Sequence, residues 1–358
     1  CGEILQGTQS TSIGYQCGQS SQGVQSVAIG YNAARNNQGS ESVAVGYSSG
    51  EISQGNFSVA IGSNAGQSTQ GTQSVSIGDN SGEILQGIRS VAMGYECGKT
   101  SQGNDSVAIG YRCGMQNQGN TTVSIGNEAG KTSQGIESVA VGYKCGEISQ
   151  GKQSVSVGYL AATNLQGNNS VAIGYYSGET SQGENSVAVG SNAAQTNQGT
   201  GAIAIGPYCG QINQGDENVA VGKSSGYDTQ GSQSVAIGFE CGNTSQNPRS
   251  VAVGYRSGYI SQSAQAVAVG FESGKTSQGL QCVAVGLRSG NTSQQDRSVA
   301  VGTQAGNDTQ GIDSVAIGNR CGFASQGSQS VAIGSDAGYI NQSARNVAIG
   351  FESGKSNQ

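Results

Sequence analysis

The sequence predicts an all-β chain, a parallel β-solenoid (β-roll) of about 22 sixteen-residue coils with two short strands in each. Three observations carry this expectation. The phrase Ser-Val-Ala-Ile-Gly at Ser26–Gly30 returns, lightly edited, at a constant step of 16 residues from Ser10 to Asn346, with no insertion or deletion. Within it, β-branched residues alternate with small ones, which is the period of a strand with two unlike faces. Gly supplies 61 of the 358 residues and closes every phrase, a frequency and placement that long helices do not tolerate. A short fixed period dictates the architecture of the chain that carries it. Residues 1–358 are therefore expected to form one continuous array, opening and closing in mid-repeat as part of a longer array or filament.

Each element follows from its place in the repeat, counted from the Ser of the phrase. Positions 2 and 4 are Val with Ile or Val, as in Val107 and Ile109 or Val139 and Val141. Strand alternation puts them on one face, and the expectation is that this face forms the core. Positions 1, 3 and 5 then share the opposite wall, as in Ser106, Ala108 and Gly110. That wall is flat and almost free of side chains, so it is expected to be the seam between protomers. Position 6 is often aromatic (Tyr95, Tyr111, Tyr143, Phe239), expected to cover the bend and stack along the axis. Positions 8 and 9 are small and make a corner. Positions 11 to 13 form a second short strand, and a Gly usually follows as a turn. Stacked at the usual strand spacing, 22 such coils would make a rod roughly 105 Å long.

Position 13 is Gln in every copy, from Gln6 to Gln358. In an in-register stack, each amide lies over the next. A primary amide both donates and accepts, so identical amides can bond along the axis and be buried without large cost. Gln102, Gln118, Gln134 and Gln150 are therefore expected to form part of a structural Gln ladder.

Composition removes several classes of function. There is no His, and carboxylates occur singly at variable positions, so no acid–base pair or nucleophilic dyad is apparent and no catalytic residue is assigned. No repeat carries the long loop that would build a cleft, and the chain is expected not to be an enzyme. Gly-Lys-Thr at Gly98–Thr100 lacks the phosphate-loop spacing, and the periodic Asp of calcium-binding rolls is absent. No metal or cofactor is expected. The net charge of −6 argues against nucleic acid, and no apolar run is long enough to insert in a membrane. Eight of the nine Cys stand at position 8, where small buried thiols fit. Cys1 and Cys17, and Cys97 and Cys113, are neighbours along the stack. Such thiols lie close enough to bond, although parallel in-register strands aim them poorly for it. Eight Asn-X-Ser/Thr sequons, Asn104 and Asn120 among them, matter only in a glycosylating host.

The recurring Ser-Val-Ala-Ile-Gly phrase resembles the head repeats of trimeric autotransporter adhesins, and similar phrases occur in repetitive fibre proteins of viruses. The resemblance covers about five residues per repeat. The usual head repeat has about 14 residues and lacks the fixed Gln. The resemblance implies a left-handed parallel β-roll displayed outside the cell or on a virion, with identical chains side by side. The expected function is accordingly a structural extracellular filament subunit that associates with its own kind. Alternatives are a surface adhesin or receptor-binding fibre, with a glycan or cell-surface partner met by the variable positions 7, 10, 15 and 16, and an ice-binding solenoid.

Overall fold

The structure is a computed structural model and describes residues 4–357. The chain divides between Ser181 and Gln182 into two compact units of the same construction. Each is a parallel β-solenoid without helix among the described residues, advancing one coil per 16 residues.

In the first unit, Val107–Tyr111, Val123–Asn127 and Val139–Tyr143 pair in parallel, so that Ala108 lies beside Ser124 and Tyr111 beside Asn127. A second ladder runs through Thr100–Gln102, Gln116–Gln118 and Thr132–Gln134, with Gln102 beside Gln118. The second unit repeats both ladders, for example at Val235–Phe239, Val251–Tyr255 and Val267–Phe271 and at Thr244–Gln246, Ile260–Gln262 and Thr276–Gln278. Residue i therefore meets residue i+16, as the constant period requires. Backbone groups at the corners pair with the next coil too: Gly114 N–H donates to the Ala129 carbonyl at 3.0 Å and Arg112 N–H to that of Tyr95 at 2.8 Å.

The faces are the reverse of the sequence expectation. Ser106 and Ala108 are fully buried and point into the coil, so they do not form an outer seam with Gly110. Val107, Ile109, Val139 and Val141 are only half-buried and point outward, so they are not the core. The same inversion runs along both units, where Ala28, Ala44, Ala252 and Ala284 are inaccessible while Ile61, Ile125 and Ile237 are about two-fifths exposed (39%, 38% and 38%). The cause is volume. A sixteen-residue coil is narrow, and its interior also holds a Gln from the second strand. Ser, Ala, Cys and Gly are what fits around that Gln, so the branched side chains must lie outside.

The small residues at the corners follow from the same crowding. Gly114 has φ of 50°, and a Cβ there would come within 2.8 Å of the Gln118 side chain. Gly110 has φ of 133°, and a Cβ on it would run into the carbonyl of Gly126 in the next coil. Further residues adopt left-handed backbone without being Gly, such as Arg112 (φ 52°), Asn117 (φ 53°) and Thr121 (φ 54°) within one coil. These bends close the coil, and they are strained for L-residues, most of all for a β-branched one. Thr121 is exposed and its side chain is dispensable. Thr121→Gly is expected to raise stability by up to about 1 kcal/mol. A lower denaturation midpoint for that variant would show that the bend carries no strain.

Candidate interaction faces

The interior is organised by the Gln column. Gln102 is buried, and its Nε2 donates to the Val91 carbonyl at 2.9 Å and the Ser106 carbonyl at 3.3 Å. Each Gln thus spans its coil from the second strand to the first. Side chain-to-side chain bonds along the axis are selective. Gln118 donates to Gln134 at 3.2 Å, whereas Gln150 donates to the Val139 carbonyl at 2.8 Å and to Ser156 Oγ at 3.2 Å. In the second unit the axial chain is longer: Gln198, Gln214, Gln230, Gln246, Gln262, Gln278 and Gln294 are linked in succession at 3.0–3.3 Å. A second partner was not foreseen from sequence. Where position 3 is Ser, its hydroxyl donates to the Oε1 of its own coil's Gln, as Ser76 does to Gln86 at 2.6 Å and Ser124 to Gln134 at 2.7 Å. The signal was present in the sequence as an Ala-or-Ser choice at an otherwise invariant small site.

The thiols are part of this interior. Cys97 and Cys113 are buried and free, and Cys97 Sγ lies 3.0 Å from the Gly110 carbonyl while Cys113 Sγ lies 2.6 Å from that of Gly126. Ser225 makes the same contact to the Gly238 carbonyl. Position 8 is thus a small buried site where Cys or Ser can donate to the Gly carbonyl of the next coil and Ala fills the space without a donor. Cys17 is also buried, and Cys1 lies outside the described residues. Burial pushes the Cys209 thiol up to about 12, which suppresses its thiolate at neutral pH.

Outside, each coil presents Val, Ile and often an aromatic from one strand. The aromatic rings stack: Tyr15, Tyr31 and Tyr47 at 5.0 and 5.2 Å, and Tyr143, Tyr159 and Tyr175 at 5.0 and 5.3 Å. In the second unit Phe239, Tyr255 and Phe271 do the same at 5.2 and 4.8 Å.

Position 7, read from sequence as freely variable, alternates in sign along parts of the stack. Glu96, Arg112, Glu128 and Lys144 follow one another, with Arg112 Nε 2.7 Å from Glu96 and Lys144 Nζ 3.3 Å from Glu128. Lys99 adds 2.7 Å to Glu96, and Lys131 adds 2.8 Å to Glu128. Opposite signs favour this register, because a like charge would otherwise stand directly overhead. The Lys99 ammonium, then the Arg112 guanidinium, hold the Glu96 carboxyl below its ordinary value; Lys131, then Lys144, do the same for Glu128. A depressed folded-state pKa contributes stability that is present above the unfolded value and lost as pH falls through the folded one. Midpoint temperature is thus expected to fall from about pH 4.5 downward, with the fall reduced in a Glu96→Gln/Glu128→Gln variant. An identical acid limb in that variant would remove these pairs as its source.

Lys99 of the Gly98–Thr100 segment is occupied by its pair with Glu96. The sequon residues are structural as well: Asn104 Oδ1 accepts the Ile88 N–H at 3.0 Å and Asn120 Oδ1 the Asn104 N–H at 2.9 Å, while Ser106 and Thr122 are buried. Among the described residues, no group of His, Cys, Asp and Glu is placed to hold a metal ion, and no helix is long and apolar enough to cross a membrane.

No curated protein matches this chain. A family model described as the YadA head domain repeat does match, at residues 21–34, 149–177 and 180–193. These segments contain Ser26–Gly30, Ser154–Gly158, Ser170–Gly174 and Ser186–Gly190, four copies of the phrase that builds the outward Val and Ile columns. The chain is a β-solenoid whose repeats are similar to YadA-type adhesin head repeats.

Proposed function

We propose that this protein is a structural element of an adhesin-like fibre displayed at a cell or virion surface, and that identical copies associate through the outward Val and Ile columns. The carrying observation is the inversion of faces. Positions 2 and 4 leave β-branched side chains half-exposed in coil after coil, forming an apolar strip along each unit. Monomeric proteins rarely leave so long an apolar strip open to water, and a second copy offers the matching strip at the same axial repeat. The similarity to YadA-type head repeats supports the same reading, because the matched segments contain four copies of the phrase that builds the strip. No catalytic role is proposed. The chain's contribution is a regular apolar face and a self-supporting stack, which end-to-end or lateral association would extend into a filament.

Sedimentation of the full chain tests this. Micromolar protein is expected to sediment as a homo-oligomer or longer assembly. Ile109→Asp/Ile125→Lys/Val141→Asp is expected to dissociate it while keeping the β-sheet circular dichroism, since each site faces outward and opposite signs then stand over one another in the register. A monomeric parent chain would refute association through this face. The adhesin alternative is supported by the family match and the variable charges at position 7, and predicts binding to cells or glycans that is lost when Arg112 and Lys144 become Ala.

A further inference from the structure

Within the first unit, the aromatic column is interrupted twice, over two coils at Ser63 and Asp79 and for a single coil at Asn127. Tyr95 and Tyr111 stack at 5.3 Å, and Tyr143, Tyr159 and Tyr175 stack at 5.0 and 5.3 Å. Between the two runs, the column residue is Asn127. The strands leave no doubt about its place: Asn127 is the register partner of Tyr111 on one side and of Tyr143 on the other. Two ladder steps separate those tyrosines, roughly 10 Å at the usual strand spacing. Asn127, Tyr111 and Tyr143 are all exposed, so the gap opens to solvent.

The chain shows what such a gap accepts. Tyr159 lies between Tyr143 and Tyr175 with interplanar angles of 10° and 14°, and Tyr255 lies between Phe239 and Phe271 at 6° and 8°. Each is a ring held between two rings over the same two-step span. We propose that Tyr111 and Tyr143 form the walls of a slot that binds one planar, electron-rich aromatic ring of the indole or phenol class, the guest taking the place that Tyr159 fills two coils further on. The Asn127 amide at the base offers a donor and an acceptor to a polar ring edge. Arg112 lies 5.3 Å from the Tyr111 centroid and Lys144 5.9 Å from that of Tyr143. Both cations are already held by carboxylates, Glu96 and Glu128, so the guest need not carry charge. Cations beside the walls further favour an electron-rich guest. The slot is open on its outer side, which limits affinity to the order of 1 mM for a single ring. The assignment does not depend on association of identical chains.

The chain contains no Trp, so indole emission excited at the red edge reports the guest alone. The full chain would be titrated against 3-methylindole and, separately, N-acetyltryptophanamide, following probe emission and anisotropy. A saturable change is expected with both probes. Asn127→Tyr, which fills the slot with the chain's own ring, is expected to abolish it. Asn127→Ala, which leaves the slot open, is expected to retain binding within about threefold, and Tyr143→Leu to weaken it at least about fivefold. Saturation with the amide alone would also support the slot, for rings borne on a peptide. No saturable change with either probe, or binding unaltered in Asn127→Tyr, would overturn it.

Discussion

Gln262→Glu is expected to be among the most destabilising single substitutions in the second unit. Gln262 is inaccessible to solvent. Its Nε2 donates to the Val251 carbonyl at 2.8 Å, the Ala266 carbonyl at 3.2 Å and Gln278 Oε1 at 3.0 Å, while its Oε1 accepts from Gln246 at 3.1 Å. A carboxylate oxygen in place of Nε2 would face three acceptors and donate to none. It would also be a charge buried without a partner. The expected loss is about 3–5 kcal/mol at neutral pH. The sign with pH is distinctive. Burial raises the folded-state pKa of the new carboxyl above its unfolded value, so its penalty is absent below the unfolded value and grows as pH rises. Denaturant midpoints measured from about pH 3.5 to 7 should thus diverge from those of the parent chain as pH rises. Equal midpoints at pH 7 would mean that this amide is hydrated. The same substitution at Gln102, Gln118 and Gln134 together should unravel that part of the first unit.

A larger side chain on the inward column is the second large effect. Ala252 is fully buried, with Ala236 and Ala268 as its register partners above and below. Ala252→Leu would place three more carbons in an interior sized for Ala and the Gln amide, at an expected cost of about 3 kcal/mol or more. The neighbouring outward site gives the contrast. Val253 is half-buried, and Val253→Leu is expected to change stability by less than about 1 kcal/mol. Chemical denaturation of both variants decides which face is inside. A smaller loss at Ala252 than at Val253 would restore the arrangement first read from the alternating pattern.

The misassignment of the two faces has a specific cause. Alternation shows that a strand has two unlike faces, and the usual rule sends the branched one inward. That rule assumes an interior wide enough to hold it. Here the invariant Gln at position 13 already occupies the interior, and the residues that never grow large, at positions 1, 3, 8 and 9, mark the walls around it. Constancy of size was the better guide than hydrophobicity. Likewise, the alternating signs at Glu96, Arg112, Glu128 and Lys144 are visible only when the sequence is read down one column. Across a single repeat they look like variation.

Period, strand alternation, fixed Gly and fixed Gln were enough to determine a parallel, in-register β-solenoid, because a constant step of 16 leaves each residue only one equivalent neighbour. They pointed equally to buried Gln amides, but of the axial bonds expected among Gln102, Gln118, Gln134 and Gln150 only that from Gln118 to Gln134 forms. Only the tertiary structure decided which side of each strand faces in, which carbonyls the amides meet, and how closely the rings of the aromatic column stack. Those outcomes depend on the width of a closed coil and on distances between coils. Width and distance arise when the chain closes on itself, and no count of residues along the backbone contains them.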